Sequence, residues 1–235
     1  MHRFFVSPEA LRADRVTLTG AQARQIASVL RLRTGDEIAL VADGAEAVVA
    51  LETVRPTSVI AVVRERGFTP AEPTVALTLA LPVLRGDHDE EVVESITQLG
   101  VSRIVPFISA RSVVRSLSEA KRSRWERIAR EAAETARRGR IPSIEPAHTW
   151  KDLFGVLPAP VFVAWESERS LRLRDALPRT ARALSLVIGP EGGLADDEIA
   201  AARAHGALTV SLGGRILRSE TAAIAAVALV MDRLS

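Results

Sequence analysis

Two stretches of this 235-residue chain combine residue types that could hold a small molecule. Leu186-Val187-Ile188-Gly189-Pro190-Glu191-Gly192-Gly193-Leu194 runs an apolar strand into a glycine-rich loop and then a helix. Val210-Ser211-Leu212-Gly213-Gly214-Arg215-Ile216-Leu217-Arg218-Ser219-Glu220-Thr221-Ala222 repeats that order. Glycines let a ligand approach the backbone, whose N–H and C=O groups then become its partners. Either loop alone reads as a turn. Neither is a P-loop, since no Gly-Lys-Ser/Thr follows, and neither has the GxGxxG spacing of a dinucleotide site. Two of them on neighbouring strands point to a small-molecule pocket, because ligands of open parallel sheets sit at the carboxyl ends of strands.

Other chemistries find less support. With no cysteine there is no disulfide framework and no thiolate nucleophile. His2, His88, His148 and His205 lie outside both loops, and no histidine pair has ligand spacing, so no metal site is expected. Asp196-Asp197-Glu198 is a carboxylate cluster, but it opens a helix, and the partial positive charge of a helix N-terminus accounts for it. Residues 111–140 carry 10 basic side chains against 4 acidic ones, a net of +6 in a chain whose total is +2. That block is either a phosphate-binding face or a solvated helix surface with internal pairs such as Glu126 with Arg130.

The elements that must position these loops follow from the apolar pattern. The first seventy residues read as short β segments: His2–Val6, Arg15–Leu18, Glu37–Ala42, Ala47–Thr53 and Val59–Arg64. Breaks fall at Gly35-Asp36 and Asp43-Gly44. One helix interrupts them, Ala21–Leu30, with Thr19 as N-cap. This predicts a small barrel over residues 1–70. Gly67 to Pro73, with two prolines and a glycine, reads as a linker.

From residue 74 to 235 strands and helices alternate, which predicts an α/β domain with a mostly parallel sheet. The strands are Thr74–Leu81, Arg103–Ile108, Val161–Ala164, Leu184–Ile188 and Thr209–Leu212. The helices are Glu90–Leu99, Ser118–Ala136, Asp196–His205 and Ser219–Leu234. The last is apolar almost all round, so it must be buried on several sides, within one chain or in a dimer. A composition of 47% apolar and 26% charged residues is that of a soluble globular protein. No apolar run approaches the roughly 18 residues of a membrane span. The start lacks the long apolar core of a signal peptide, and the chain reads as cytoplasmic.

Gly189-Pro190-Glu191-Gly192-Gly193-Leu194, followed by Leu212-Gly213-x-Arg215-Ile216-Leu217-Arg218-x-Glu220-Thr221-Ala222, resembles the (uracil-N3)-methyltransferase family of small-subunit 16S ribosomal RNA, within the knotted SPOUT superfamily. The likeness extends over nearly the whole chain. It includes Arg3-Phe4-Phe5, Val29-Leu30-Arg31, Gly35-Asp36, Asp43-Gly44, Leu99-Gly100-Val101, Ile104-Val105-Pro106, Arg111, Glu134, Arg138 and Arg140-Ile141-Pro142. The chain departs from the family pattern at Gln25, Ser95, Gln98 and Thr135.

The resemblance implies a C-terminal α/β domain with a deep trefoil knot, preceded by a barrel similar to PUA-type RNA-binding domains. It implies S-adenosylmethionine as cofactor, held by Trp165, Ile188, Gly189, Glu191, Gly192, Leu212, Gly213, Ile216 and Leu217. It implies 16S ribosomal RNA as substrate, contacted by Arg3, Arg31, Arg111 and Arg140, and a homodimer formed through the knotted domain. Methyl transfer to uracil N3 needs loss of the N3 proton, so a base or an anion-stabilising cation is required. Arg138, Arg218 and Glu220 are the catalytic candidates. The arginines suit phosphate or the developing uracil oxyanion, and Glu220 would take the proton, hold Arg218 or cap its helix. Two other readings stand beside this one: a related methylase acting on another RNA target such as a ribose 2′-hydroxyl, and a non-catalytic RNA-binding or assembly factor.

Overall fold

The computed structural model describes residues 1–234. They form two units that are not contiguous in sequence, one of Met1–Glu72 with Ala133–Arg140 and one of Pro73–Ala132 with the chain from Ile141 onward. No helix is long and apolar enough to cross a membrane, among the described residues.

In the first unit the elements run β1 (Arg3–Phe5), α1 (Pro8–Arg12), β2 (Arg15–Thr19), α2 (Gly20–Arg24), β3 (Glu37–Ala42), β4 (Ala45–Arg55) and β5 (Ser58–Phe68). The five strands make one sheet in the order β1-β3-β4-β5-β2, parallel at β1–β3 and antiparallel elsewhere. Along β2 every second residue is buried, as a half-buried strand requires. The sheet and α2 enclose Phe4, Val16, Leu18, Ile26, Ile38, Leu40, Val49, Leu51 and Val59, each worth about 1.5–3 kcal/mol of burial.

Two local features differ from the sequence pattern. The helix expected over Ala21–Leu30 is α-helical only to Arg24 and continues as a π-helical turn, Gln25–Val29. Thr19 holds the N-cap position, but its side chain makes no cap hydrogen bond. The short helix α1 went unpredicted, although Ser7 before Pro8 is an N-cap signature and its hydroxyl accepts from Ala10 N at 3.2 Å.

The second unit is α/β. Its elements are β6 (Ala76–Pro82), α3 (His88–Leu99), β7 (Arg103–Ile108), α4 (Glu119–Thr135), β8 (Ser143–Ile144), β9 (His148–Thr149), α5 (Trp150–Leu153), β10 (Val161–Ala164), α6 (Leu173–Ala176), β11 (Ala183–Ile188), α7 (Asp196–Ala204), β12 (Leu208–Val210) and α8 (Ser219–Leu234). The last turn of α4 groups with the first unit. All strands pair in parallel, in the order β12-β10-β11-β6-β7-β8, with β9 also on β7. The central strands are buried along almost their whole length, and mostly apolar, because helices cover both faces.

One face packs Leu77, Leu79, Ile104, Leu186 and Ile188 with α3 and α8. The other packs Ala80, Val105, Val163 and Val187 with Trp150, Leu153 and Ile199. Helix α8 buries Ala223, Ala226, Val227 and Val230, whereas Leu229 is 40% exposed. Strand β12 is shorter than expected: it ends at Val210, and Ser211 bridges instead to Arg172.

Candidate active site

The strand order decides where a pocket can form. β10 lies between β11 and β12, so the chain leaves β10 for β11 on one side and later crosses to β12 on the other. Such a reversal opens a crevice at the carboxyl ends of the strands. The three loops that follow β10, β11 and β12 line a solvent-open cleft there.

Each loop is held by its own polar contacts. After β10, the Glu168 carboxylate acts as a staple. Its Oε1 accepts from the amides of Arg169 (2.9 Å) and Ser170 (2.8 Å) and from Ser170 Oγ (2.6 Å). Its Oε2 accepts from Thr209 Oγ1 at 2.7 Å, tying this loop to β12. With the Ser170 and Thr209 hydroxyls donating first and backbone amides after them, the Glu168 carboxyl is pulled down to about 2. Arg203 donates to the same Thr209 hydroxyl at 2.7 Å and lies over the Trp165 ring at 5.3 Å.

After β11, Gly193 has φ +70° and passes so near the first loop that a β-carbon there would lie 2.5 Å from Glu166 Oε1. The positive φ favours glycine at this position. After β12, Gly213 has φ +125°, and Ser211 Oγ accepts from its amide at 3.1 Å. A β-carbon at Gly213 or Gly214 would meet nothing within 4 Å, so the backbone here borders open space. Ser219, at the start of α8, donates to Gly189 O at 2.8 Å and joins the helix to the β11 loop.

Trp165, Ile188, Gly189, Leu212, Gly213, Ile216 and Leu217, all expected at a cofactor site, line the cleft. Glu191 and Gly192 belong to the same loop but do not. Glu191 Oε1 accepts from Arg85 N at 3.3 Å, and Gly192 packs against the Arg111 backbone. Sequence reasoning did not assign Arg169, Ser211 or Ser219 to the lining, yet all three contribute. Each lies just beyond an assigned stretch of the same loop, so extending each loop to the neighbouring element would have found them. Glu168 carries no such signal, because a staple looks like any other loop carboxylate in sequence.

Residues 70–231 match the model of a family described as an RNA methyltransferase domain. The ribosomal RNA small subunit methyltransferase E of Bacillus subtilis (strain 168) is 30% identical, over 98% of this chain and 96% of its own. The chain belongs to the ribosomal RNA small subunit methyltransferase E family. The member from Synechocystis is 32% identical, covering 97% of this chain and 77% of its own. A crystal structure of the methyltransferase E from Neisseria gonorrhoeae, bound to S-adenosyl methionine, superposes with a TM-score of 0.89 at 29% identity, covering 97% and 95% of the two chains.

In this methyltransferase E member the remaining candidates are placed as follows. Arg218 is exposed, and among the described residues no carboxylate lies within ion-pair distance of it. Glu220 is not its partner: Glu220 Oε1 lies 3.5 Å from His88 Nδ1, and Oε2 is buried without a hydrogen-bond donor. His88, set aside in the sequence, is thus next to a candidate base. The fold brings it there because α3 and α8 pack together.

Arg138 is a correction. It is 2% exposed, and its guanidinium donates to both Glu72 oxygens at 3.2 and 3.1 Å. Glu72 also accepts from the amides of Gly139 (2.8 Å) and Arg140 (3.2 Å), so Arg138 braces a turn instead of meeting a reacting base. Arg3 is likewise paired, with Glu46 at 2.8 Å. Arg31, Arg111 and Arg140 are exposed, as RNA contacts need to be. Along α4 the net +6 block is a helix surface with internal pairs, though between other residues than Glu126 and Arg130: Arg122 with Glu126 at 2.6 Å and Arg127 with Glu131 at 3.3 Å, while Lys121 reaches the fully buried Asp89 at 2.7 Å.

Proposed function

We propose that this chain transfers the methyl group of S-adenosylmethionine to N3 of a uridine in the 16S ribosomal RNA of the small subunit. The observation that carries the reading is the convergence of three loops from adjacent parallel strands on one cleft, in a chain of this family. The lining has the required chemistry, with apolar faces for a base and, at the exposed Gly214, backbone that borders open space for its edge. The residues present therefore fit the cofactor.

When bound, S-adenosylmethionine supplies an electrophilic methyl on a sulfonium. Ile188, Leu212 and Leu217 would cover the adenine faces, while the backbones of Gly189 and Gly213–Gly214 would bond its polar edge. Positioning then lowers the barrier, since a nucleophile held in line reacts as if at very high concentration. Glu220 takes the N3 proton, with His88 Nδ1 3.5 Å from its Oε1. Arg218 faces the uracil oxygen on which charge develops. The proposal extends to the deep trefoil knot, the PUA-like character of the first unit, a homodimer joined along α8 and action in the cytoplasm.

The test is methyl transfer from labelled S-adenosylmethionine to small ribosomal subunits that lack uracil-N3 methylation, with nucleoside analysis. The expected label is 3-methyluridine, and Glu220→Gln should abolish it while leaving cofactor affinity intact. Label in any other nucleoside overturns the target. Failure to bind the cofactor overturns the enzyme.

A further inference from the structure

The first unit carries a depression of its own, lined by Pro8, Leu11, Arg12, Asp43, Glu46 and Phe68 among others. Phe68 is the last residue of β5, opposite Ala45 of β4, and is 86% exposed. An aromatic ring so open is unusual, because a phenyl group gains by burial and has no polar atom to keep it in water. Among the described residues no second ring and no cation stacks on it. Its position is fixed nonetheless, since Thr69 N donates to Gly44 O at 2.9 Å and Gly44 N to Gly139 O at 2.8 Å.

The charges around this ring divide into used and unused. Arg66 donates to the carbonyls of Leu11, Arg12 and Ala13 and pairs with Asp14, so it seals the wall between α1 and β5. Glu46 accepts from Arg3 at 2.8 Å and from Thr69 at 3.4 Å. Asp43 and Arg12 remain. Both are exposed; Arg12 acts on the Glu9 carboxylate of its own helix through charge alone, and no hydrogen bond or ion pair to the Asp43 side chain is found among the described residues. Asp43 sits in the β3–β4 turn with φ +48°, followed by Gly44 at φ +86°, a rigid two-residue hairpin that holds the carboxylate in one place.

We propose that this depression is a binding site for a single-stranded guanine nucleotide, a reading that rests on RNA being the substrate. The ring supplies a stacking platform, which is how unpaired bases are held. The carboxylate selects among bases. Guanine presents two adjacent donors, N1–H and the N2 amino group, and a carboxylate has two acceptor oxygens to meet them. Uracil offers one N–H between two carbonyls that repel a carboxylate, and adenine sets its one amino group beside an acceptor. Arg12 completes the site with a fork suited to the phosphate of the same nucleotide.

The experiment is fluorescence anisotropy with labelled nine-residue oligoribonucleotides at constant salt: all-uridine, the same with one central guanosine, and the same with inosine, which lacks the N2 amino group. The guanosine oligomer should bind about tenfold more tightly than the all-uridine one, and inosine should lose most of that gain. Asp43→Asn tolerates the positive φ, so the hairpin persists; it should erase the guanosine preference. Phe68→Ala should weaken binding of all three oligomers. Equal affinity for guanosine and uridine oligomers in the unsubstituted protein, or a preference that survives Asp43→Asn, overturns the inference. If uridine methylation proceeds without a guanosine preference, this site is wrong and the enzymatic reading stands. If the preference is present and removable but no nucleoside is methylated, the site stands and the enzymatic reading falls.

Discussion

Replacing Glu168 with Gln should destabilise the second unit by an amount that depends on pH. The carboxylate is about one-tenth exposed and takes hydrogen bonds on both oxygens. Its drop from an ordinary 4.5 to about 2 corresponds to about 3 kcal/mol in favour of the charged, folded form. Because the folded value is the lower one, this stabilisation is complete above about pH 4.5 and is lost as pH falls through about 2. The same two values leave about 1.4 kcal/mol at about pH 3. Glutamine keeps the shape but brings an amino group against donors, so at neutral pH it should forfeit most of that energy. The assay is urea unfolding of both proteins at about pH 7 and about pH 3. The expected gap is about 3 kcal/mol at the first and less than half of it at the second. A gap of equal size at both values would refute the argument, since it would mean that packing, not the charge, does the holding. Cofactor affinity should fall in parallel at neutral pH, because the stapled loop carries Trp165, Glu166 and Arg169 into the cleft.

Other substitutions test neighbouring parts of the account. Gly193→Ala forces a residue with a β-carbon into φ +70° and pushes it onto Glu166; about 1–2 kcal/mol of stability and about tenfold in S-adenosylmethionine affinity should be lost, read by calorimetry. Glu72→Ala removes the carboxylate facing the buried Arg138 and should cost about 3–5 kcal/mol in denaturant unfolding. Burial holds the Asp89 carboxyl above its ordinary range, opposed by Lys121. In Lys121→Met it should rise further. A raised folded value gives stability at low pH that disappears as pH climbs through it, so the deficit of this variant should be larger at neutral pH than at about pH 4.

How much of this was legible depends on whether the signal was local. The loops after β11 and β12 could be read directly, because an unbroken apolar run followed by glycines marks a buried parallel strand ending at a bend. Ser219–Leu234 was readable for a similar reason: its apolar surface leaves few alternatives to helix. The roles of Arg138 and Glu220 were not readable, since they depend on partners 66 residues away at Glu72 and at His88 on another helix. An arginine in a basic stretch looks available until the fold shows a carboxylate already opposite it. The π turn at Gln25–Val29 was hidden too, as its apolar spacing is that of an ordinary helix over so short a span.

The return of residues 133–140 to the first unit has a consequence for how such a protein can be divided. The chain passes between the units after Glu72, after Ala132 and again after Arg140, so neither unit is a continuous stretch of gene. A nick at the proline-rich junction would leave the two halves threaded together by the other crossings. A fragment ending at residue 72 would carry Glu72 without the guanidinium and the two amides that it holds. Recombination that swaps whole modules at a single joint is therefore closed to this architecture. Its two units must be inherited, and must change, as one piece.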